Sequence, residues 1–173
     1  MGKDVVTGAS VEVRVELDGS PEEIWALITD VSRIGKWSPE CVDGWWVDRD
    51  GPLPRVGDRF EGHNRFPGGF EATVPCVVTE SEQPGSFAWV TLDPDQEVDR
   101  PGSIWSYRLS PSATAGRTTV IHRFEHGPGQ TGVRWAVDDN PEHAQQIVDD
   151  RLEELQRNMV HTMEAMGQDV PPT

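Results

Sequence analysis

Residues 140–167 hold the pattern that most restricts this chain: one long amphipathic helix at the end of a run of short strands. Asn140-Pro141 opens it. Ala144, Ile147, Val148, Leu152, Leu155, Met159, Met163 and Met166 then recur one, three or four residues apart, which puts them on one face. Asp149, Asp150, Glu153, Arg157 and Glu164 fall elsewhere, and Gly167 is a natural stop. No other segment is long enough, at about 1.5 Å per residue, to cover the apolar face of a sheet.

The strands that need covering are legible from alternation and turns. "VEVRVELD" (11–18) sets Val11, Val13, Val15 and Leu17 against Glu12, Arg14, Glu16 and Asp18, so one face is buried and one is wet. "VDGWWVDRD" (42–50), "GDRFEGHNRF" (57–66), "FEATVPCVVTESE" (70–82), "SFAWVTL" (86–92), "SIWSYRLS" (103–110) and "RTTVIHRFEH" (117–126) follow. Gly51-Pro52, Pro67-Gly68-Gly69, Pro84-Gly85 and Thr114-Ala115-Gly116 separate them. Seven strands joined mostly as hairpins predict an antiparallel sheet. Pro75 inside the fourth predicts an edge position or a bulge.

Between the first two strands lies "SPEEIWALITDVSRIGKWSPEC" (20–41). Ser20, Pro21 and Glu23 form a helix start with a capping box, and Ile24, Trp25, Leu27, Ile28 and Val31 follow helical spacing. The helix should run to about Thr29, with Gly35 and Ser38-Pro39 breaking any continuation. Two tryptophans, Trp25 and Trp37, sit on what reads as an elbow.

Composition narrows the class of function. Thirty acidic against fifteen basic residues in 173 give a net charge of -15, so nucleic acid and anionic membranes would be approached against the field of the molecule. There is no apolar run long enough for stable membrane insertion, and "MGKDVVTGAS" lacks the blocks of a signal peptide. A cytoplasmic protein, monomeric or homodimeric, is the expectation. Cys41 and Cys76 show neither a zinc-knuckle spacing nor a disulfide framework. His122 and His126 would stand roughly 13 Å apart along a strand, which disfavours chelation of a metal. Neither a Gly-x-Gly-x-x-Gly turn nor a P-loop is present, so no cofactor is expected.

The order of elements over about residues 10–167 resembles the START-related helix-grip superfamily, in particular its polyketide cyclase/dehydrase and lipid-transport-like branch. "SPEEIWALITD" running into "DVSRIGKWSPE", "GDRFEGHNR", "PGSFAWV", "SIWSYRLSP" and "RLEELQRNMVHTME" carry the resemblance. It implies an α+β helix-grip fold in one domain (1–173), with a seven-stranded curved antiparallel sheet wrapped around the long C-terminal helix. It also implies two short helices between strands 1 and 2 that plug one end of a cavity. Trp37 is then either a closing residue of that plug or a plain core aromatic.

Such a cavity would be lined by the inward strand faces and the apolar face of the last helix. On the third strand Phe60, Gly62, Asn64 and Phe66 share a face, with Arg59, Glu61, His63 and Arg65 opposite. Trp89 with Phe87 on the fifth strand, and Trp105 with Tyr107 on the sixth, join the wall. On the seventh, Val120, His122, Phe124 and His126 alternate with Thr119, Ile121, Arg123 and Glu125; periodicity alone does not settle which side faces in, but two apolar positions against one favour His122 and Phe124 inward. Met159 and Met163 offer adaptable apolar surface from the helix. "GPGQTG" (127–132) reads either as a flap near the mouth with Trp135 as a gate or as a long surface connection anchored by that one aromatic.

Two classes of function follow, with a third behind them. The first is binding of a small hydrophobic or aromatic molecule, such as a lipid, isoprenoid or polyketide. The second, implied by the resemblance, is an aromatase/cyclase or dehydratase with Asn64, Tyr107 and His122 as candidate polar groups and His122 as acid/base. The third, a protein-interaction module, needs an apolar outer face; that face instead carries Arg59, Glu61, Arg65, Arg108 and Arg123.

Overall fold

The computed structural model describes residues 3–49 and 51–172. Met1, Gly2 and Thr173, and Asp50 at the end of the expected second strand, lie outside the described residues. Seven strands form one antiparallel sheet: β1 (Ser10–Asp18), β2 (Cys41–Asp48), β3 (Arg59–Arg65), β4 (Glu71–Glu82), β5 (Ser86–Thr91), β6 (Ser103–Pro111) and β7 (Arg117–His126). The order across the sheet is β1-β7-β6-β5-β4-β3-β2. Each consecutive pair from β2 to β7 is therefore a hairpin neighbour, and β1 is added beside β7 at the far edge.

The crossover from β1 to β2 is the elbow. Helix α1 (Pro21–Ile28) starts with the expected capping box: Ser20 Oγ accepts from Glu23 N at 3.2 Å, and Glu23 Oε2 accepts from Ser20 N at 2.8 Å. It buries Ile24, Trp25, Leu27 and Ile28. A 3-10 turn (Val31–Arg33) then leads into α2 (Ile34–Trp37). Gly35 does not break this helix but lies within it. A Cβ there would stand 2.0 Å from the Val42 carbonyl oxygen, so the glycine is required by close approach of the β2 backbone.

Pro75 also departs from expectation, because β4 is an interior strand paired on both sides. The Pro75 carbonyl accepts from Leu92 N at 2.8 Å on the β5 side, beyond the last paired residue of β5, Thr91. Its missing N–H therefore faces the frayed end of that ladder, and the bulge falls later, between Val78 and Glu80.

The 127–135 segment is not a free flap. Gly127 N donates to Gly102 O and Gly129 N to Pro101 O, both at 2.9 Å, while Gln130 N donates to Asp93 Oδ2 at 3.1 Å. Thr131 then caps a helix the glycines had masked, α3 (Gly132–Asp139), by accepting from Arg134 N at 3.3 Å. Trp135 stands exposed on α3, which removes the expected gate.

A 3-10 turn (Pro141–His143) delays the long helix α4 to Ala144–Gly167. Its buried stripe is Val148, Leu155, Met159, Thr162, Met163 and Met166. The helix lies against β1, where bare Gly167 admits Leu17, and it touches α2 and α3. Among the described residues no helix is long and apolar enough to cross a membrane.

Candidate functional site

The strand register lays out the inner sheet face in rows. Residues directly opposite one another on β5, β6 and β7 are Phe87–Tyr107–His122, then Trp89–Trp105–Phe124, then Thr91–Ser103–His126. On β7 the residues Val120, His122, Phe124 and His126 are buried while Ile121, Arg123 and Glu125 are only half-buried, so His122 points inward. The first row is closed, with Phe87, Tyr107 and His122 between 1 and 4% exposed. In the second row Trp89 and Trp105 face inward yet remain half-buried. Solvent thus reaches the inner face at these two indoles.

The rings form one connected group. Trp89 and Trp105 stack parallel at 6.0 Å, Phe124 meets Trp105 edge-on at 4.7 Å, and Phe60 bridges Trp89 at 5.9 Å to Trp46 at 5.3 Å. Tyr107 and His122 stack face to face with centroids 3.9 Å apart. The protein's own side chains therefore fill much of the grip, and Trp89 and Trp105 keep partial exposure on its wall. A separate hollow of about 280 Å³ lies at the α1 end, against Trp25, Pro54, Arg55 and Ser81.

Polar groups on this wall are few. His122 Nδ1 donates to the Ser106 carbonyl at 2.9 Å, which fixes the tautomer and leaves Nε2 as an acceptor with no partner among the described residues. Burial lowers the His122 pKa from 6.5 to about 4, so the ring is neutral at pH 7. Burial likewise pushes the Tyr107 hydroxyl above its ordinary range. Trp105 Nε1 donates to Ser103 Oγ at 3.0 Å. His126, directly across from Ser103, is 3% exposed, and neither ring nitrogen has a partner among the described residues. Its pKa is also lowered to about 4, by burial first and then by the Arg151 and Arg134 guanidiniums.

The seam between α4 and the β3 side is closed by charge. Arg151 falls between Val148 and Leu155 on the buried stripe of α4, and its guanidinium meets both carboxylate oxygens of Glu40 at 2.8 and 2.5 Å. Glu154 accepts a further bond from Arg151 at 2.6 Å, and Asn158 Nδ2 donates to Glu40 at 3.3 Å. Arg151 also lies over the Phe66 ring, 5.7 Å from its centroid.

The candidates from sequence separate accordingly. Phe60, Trp89, Trp105, Tyr107, His122 and Phe124 come together in the ring group. Asn64 is half-buried on β3 opposite Cys41, and Phe66 is at the rim, stacked on Phe70. Met159 and Met163 are fully enclosed under α4. Trp37 stands apart from the ring group: its Nε1 donates to Asp169 at 2.8 Å, an acceptor shared with Lys36 and Arg33, and so ties the elbow to the segment after α4. Trp46, Glu40 and Arg151 are not among the candidates from sequence, and His126 appears there only as a face-mate of His122 and in a disfavoured metal pair. Arg151 has the spacing of the buried stripe, three after Val148 and four before Leu155, and that was the available signal.

The model of the family described as polyketide cyclase / dehydrase and lipid transport matches residues 8–162. The chain belongs to this family. A solution structure of a Polyketide_cyc-like protein from Corynebacterium glutamicum is similar at 23% identity and a TM-score of 0.63, over 94% of this chain and 91% of that one. The Zhui aromatase/cyclase of a Streptomyces species is similar at 16% identity and 0.66, over 93% and 92%. The di-domain ARO/CYC protein StfQ of the steffimycin biosynthetic pathway is similar at 11% and 0.66, over 95% of this chain and 51% of that one. At these identities the likeness establishes the helix-grip fold. A comparison with curated proteins finds no match. Family membership supports a ligand-binding or cyclase role.

Proposed function

We propose that this protein binds a small, flat hydrophobic or aromatic molecule against Trp89 and Trp105, between the sheet and α4. The observation that carries this reading is the pair of parallel, inward-facing yet half-buried indoles, which offer stacking surface on an otherwise closely packed wall. The unpartnered His122 Nε2 beside them gives an oriented acceptor. An intracellular setting is part of the proposal, and two free thiols, Cys41 and Cys76, suit a reducing compartment.

A second reading is cyclisation or dehydration of a polyketide, favoured by the fixed tautomer of His122 and its stacking on Tyr107. A base held at about 4 is a weak proton acceptor near neutrality, so binding is preferred over catalysis. Tryptophan-fluorescence titration with flavonoids, fatty acids and polyketide-like aromatics, after native mass spectrometry for a co-purified ligand, tests the first reading. Saturable quenching by some compounds and not others supports it, and no response across the panel contradicts it. His122→Ala then separates the two readings: affinity within about threefold of wild type fits binding, and lost turnover with intact affinity fits catalysis.

A further inference from the structure

We propose that Glu40 is a specificity residue that keeps carboxylate ligands out by occupying Arg151, so that the cleft selects neutral ligands bearing hydroxyl or keto oxygens. This rests on the binding reading above and concerns the charge of the ligand. The structure carries it on two independent observations.

The first is that two half-buried guanidiniums, Arg151 and Arg134, are already committed. Arg151 is the one cation on the buried stripe of α4, with a side chain 17% exposed, and a carboxylate from the loop after α2 meets it with both oxygens. Glu154 takes a further bond. Arg134 is likewise engaged, by Asp4, Thr7 Oγ1 and the carbonyls of Gly127 and Gly129. An incoming carboxylate would have to displace Glu40 from a charge-assisted bidentate pair, while carrying its own charge toward a molecule of net charge -15. Glu40 thus holds the place that a ligand's carboxylate would take.

The second is that the uncommitted polar groups are neutral. His122 presents an acceptor at Nε2. His126 lacks partners at both nitrogens, and a neutral imidazole there needs one acceptor and one donor. Buried polar groups left unpaired are unusual in folded proteins and are satisfied by whatever occupies the site. A hydroxyl both donates and accepts, and a keto oxygen accepts; a carboxylate only accepts and would leave His122 Nε2 facing it without a proton. Both observations point to the same class: a neutral aromatic body with hydroxyl or keto oxygens.

The test uses isothermal titration calorimetry on the full chain at neutral pH with a matched pair, 2-naphthol and 2-naphthoate. Wild type is expected to bind the naphthol at least about tenfold more tightly than the naphthoate. Glu40→Gln exposes Arg151 to a ligand carboxylate, so naphthoate affinity should rise by about 10- to 100-fold, the worth of a hydrogen bond to a charged group, with naphthol within about threefold. The double variant Glu40→Met/Arg151→Met removes both charges and should keep the wild-type preference. Equal or tighter binding of naphthoate by wild type overturns the inference, as does a Glu40→Gln effect that is the same for both ligands. If Glu40→Gln does not fold, the wild-type ratio and the double variant decide. Absence of binding by either ligand to every variant overturns the binding proposal itself and this inference with it.

Discussion

Acidifying the protein from pH 7.5 to pH 5.0 should remove about 4 kcal/mol of folding stability, because two imidazoles that are buried neutral become free to take up protons on unfolding. His122 and His126 are 4% and 3% exposed, and both are held at a pKa of about 4 against an ordinary value of 6.5. With folded values below unfolded ones, the unfolded chain binds more protons between about pH 6.5 and 4, so stability is full above that window and declines as pH falls through it. At pH 5.0 each group contributes RT ln[(1 + 10^1.5)/(1 + 10^-1)], about 2 kcal/mol, and a chain of this size has a urea slope of about 2 kcal/mol per molar. The urea midpoint should therefore fall by about 2 M. The lowered carboxyls do not confound this range: that of Asp4 is held at about 2 by Thr7, and those of Glu16, Glu71 and Asp169 are lowered by their hydrogen bonds, so their contributions are lost mainly at lower pH. Urea unfolding of wild type and His122→Asn at both pH values is the assay. The variant should lose about half as much on acidification. A wild-type midpoint that does not move, or a variant that loses as much as wild type, would refute the reasoning.

Further consequences follow from the same geometry. Arg151→Met leaves Glu40 unpaired in a largely enclosed place and should destabilise by about 3–5 kcal/mol by urea unfolding, whereas Glu40→Met/Arg151→Met should fall within about 1 kcal/mol of wild type. Gly35→Ala drives a Cβ to 2.0 Å from the Val42 carbonyl oxygen and should lower stability by about 1–3 kcal/mol or more, read as a drop in Tm. Burial pushes the Cys41 thiol up to about 11 and Cys76 higher still, so neither should react with a thiol reagent at pH 8 until denaturant is added.

Much of the fold is legible because it is locally encoded. The Ser20–Glu23 capping box, the alternation of β1 and the apolar stripe of α4 each express one period or one cap, and all three stand where the pattern puts them. What the pattern misses is tertiary. Gly35 reads as a helix breaker, but its role comes from a strand passing behind it. Pro75 reads as an edge or bulge residue because alternation cannot show that β5 ends at Thr91, opposite Cys76. The glycines of 127–132 hide α3, although Thr131 three residues before Arg134 is a cap signal. At the site, ring residues are legible because aromatic side chains on alternating positions have few alternatives to the interior. On β7, Ile121 is as apolar as Val120, so it takes the alternating burial of the folded strand to settle the side of His122. Arg151 escapes notice because its partner, Glu40, lies 111 positions earlier in the chain, and His126 because a lone inward imidazole carries no local sign that it lacks partners.

The most direct test of the central claim is the proton NMR spectrum of the seven indole N–H groups during titration with a neutral hydroxylated aromatic such as 2-naphthol. Saturable shifts at Trp46, Trp89 and Trp105, with Trp25, Trp37, Trp45 and Trp135 unmoved, are what ligand binding between sheet and α4 predicts. Shifts confined to Trp25 or Trp135, or none at any indole, would contradict it.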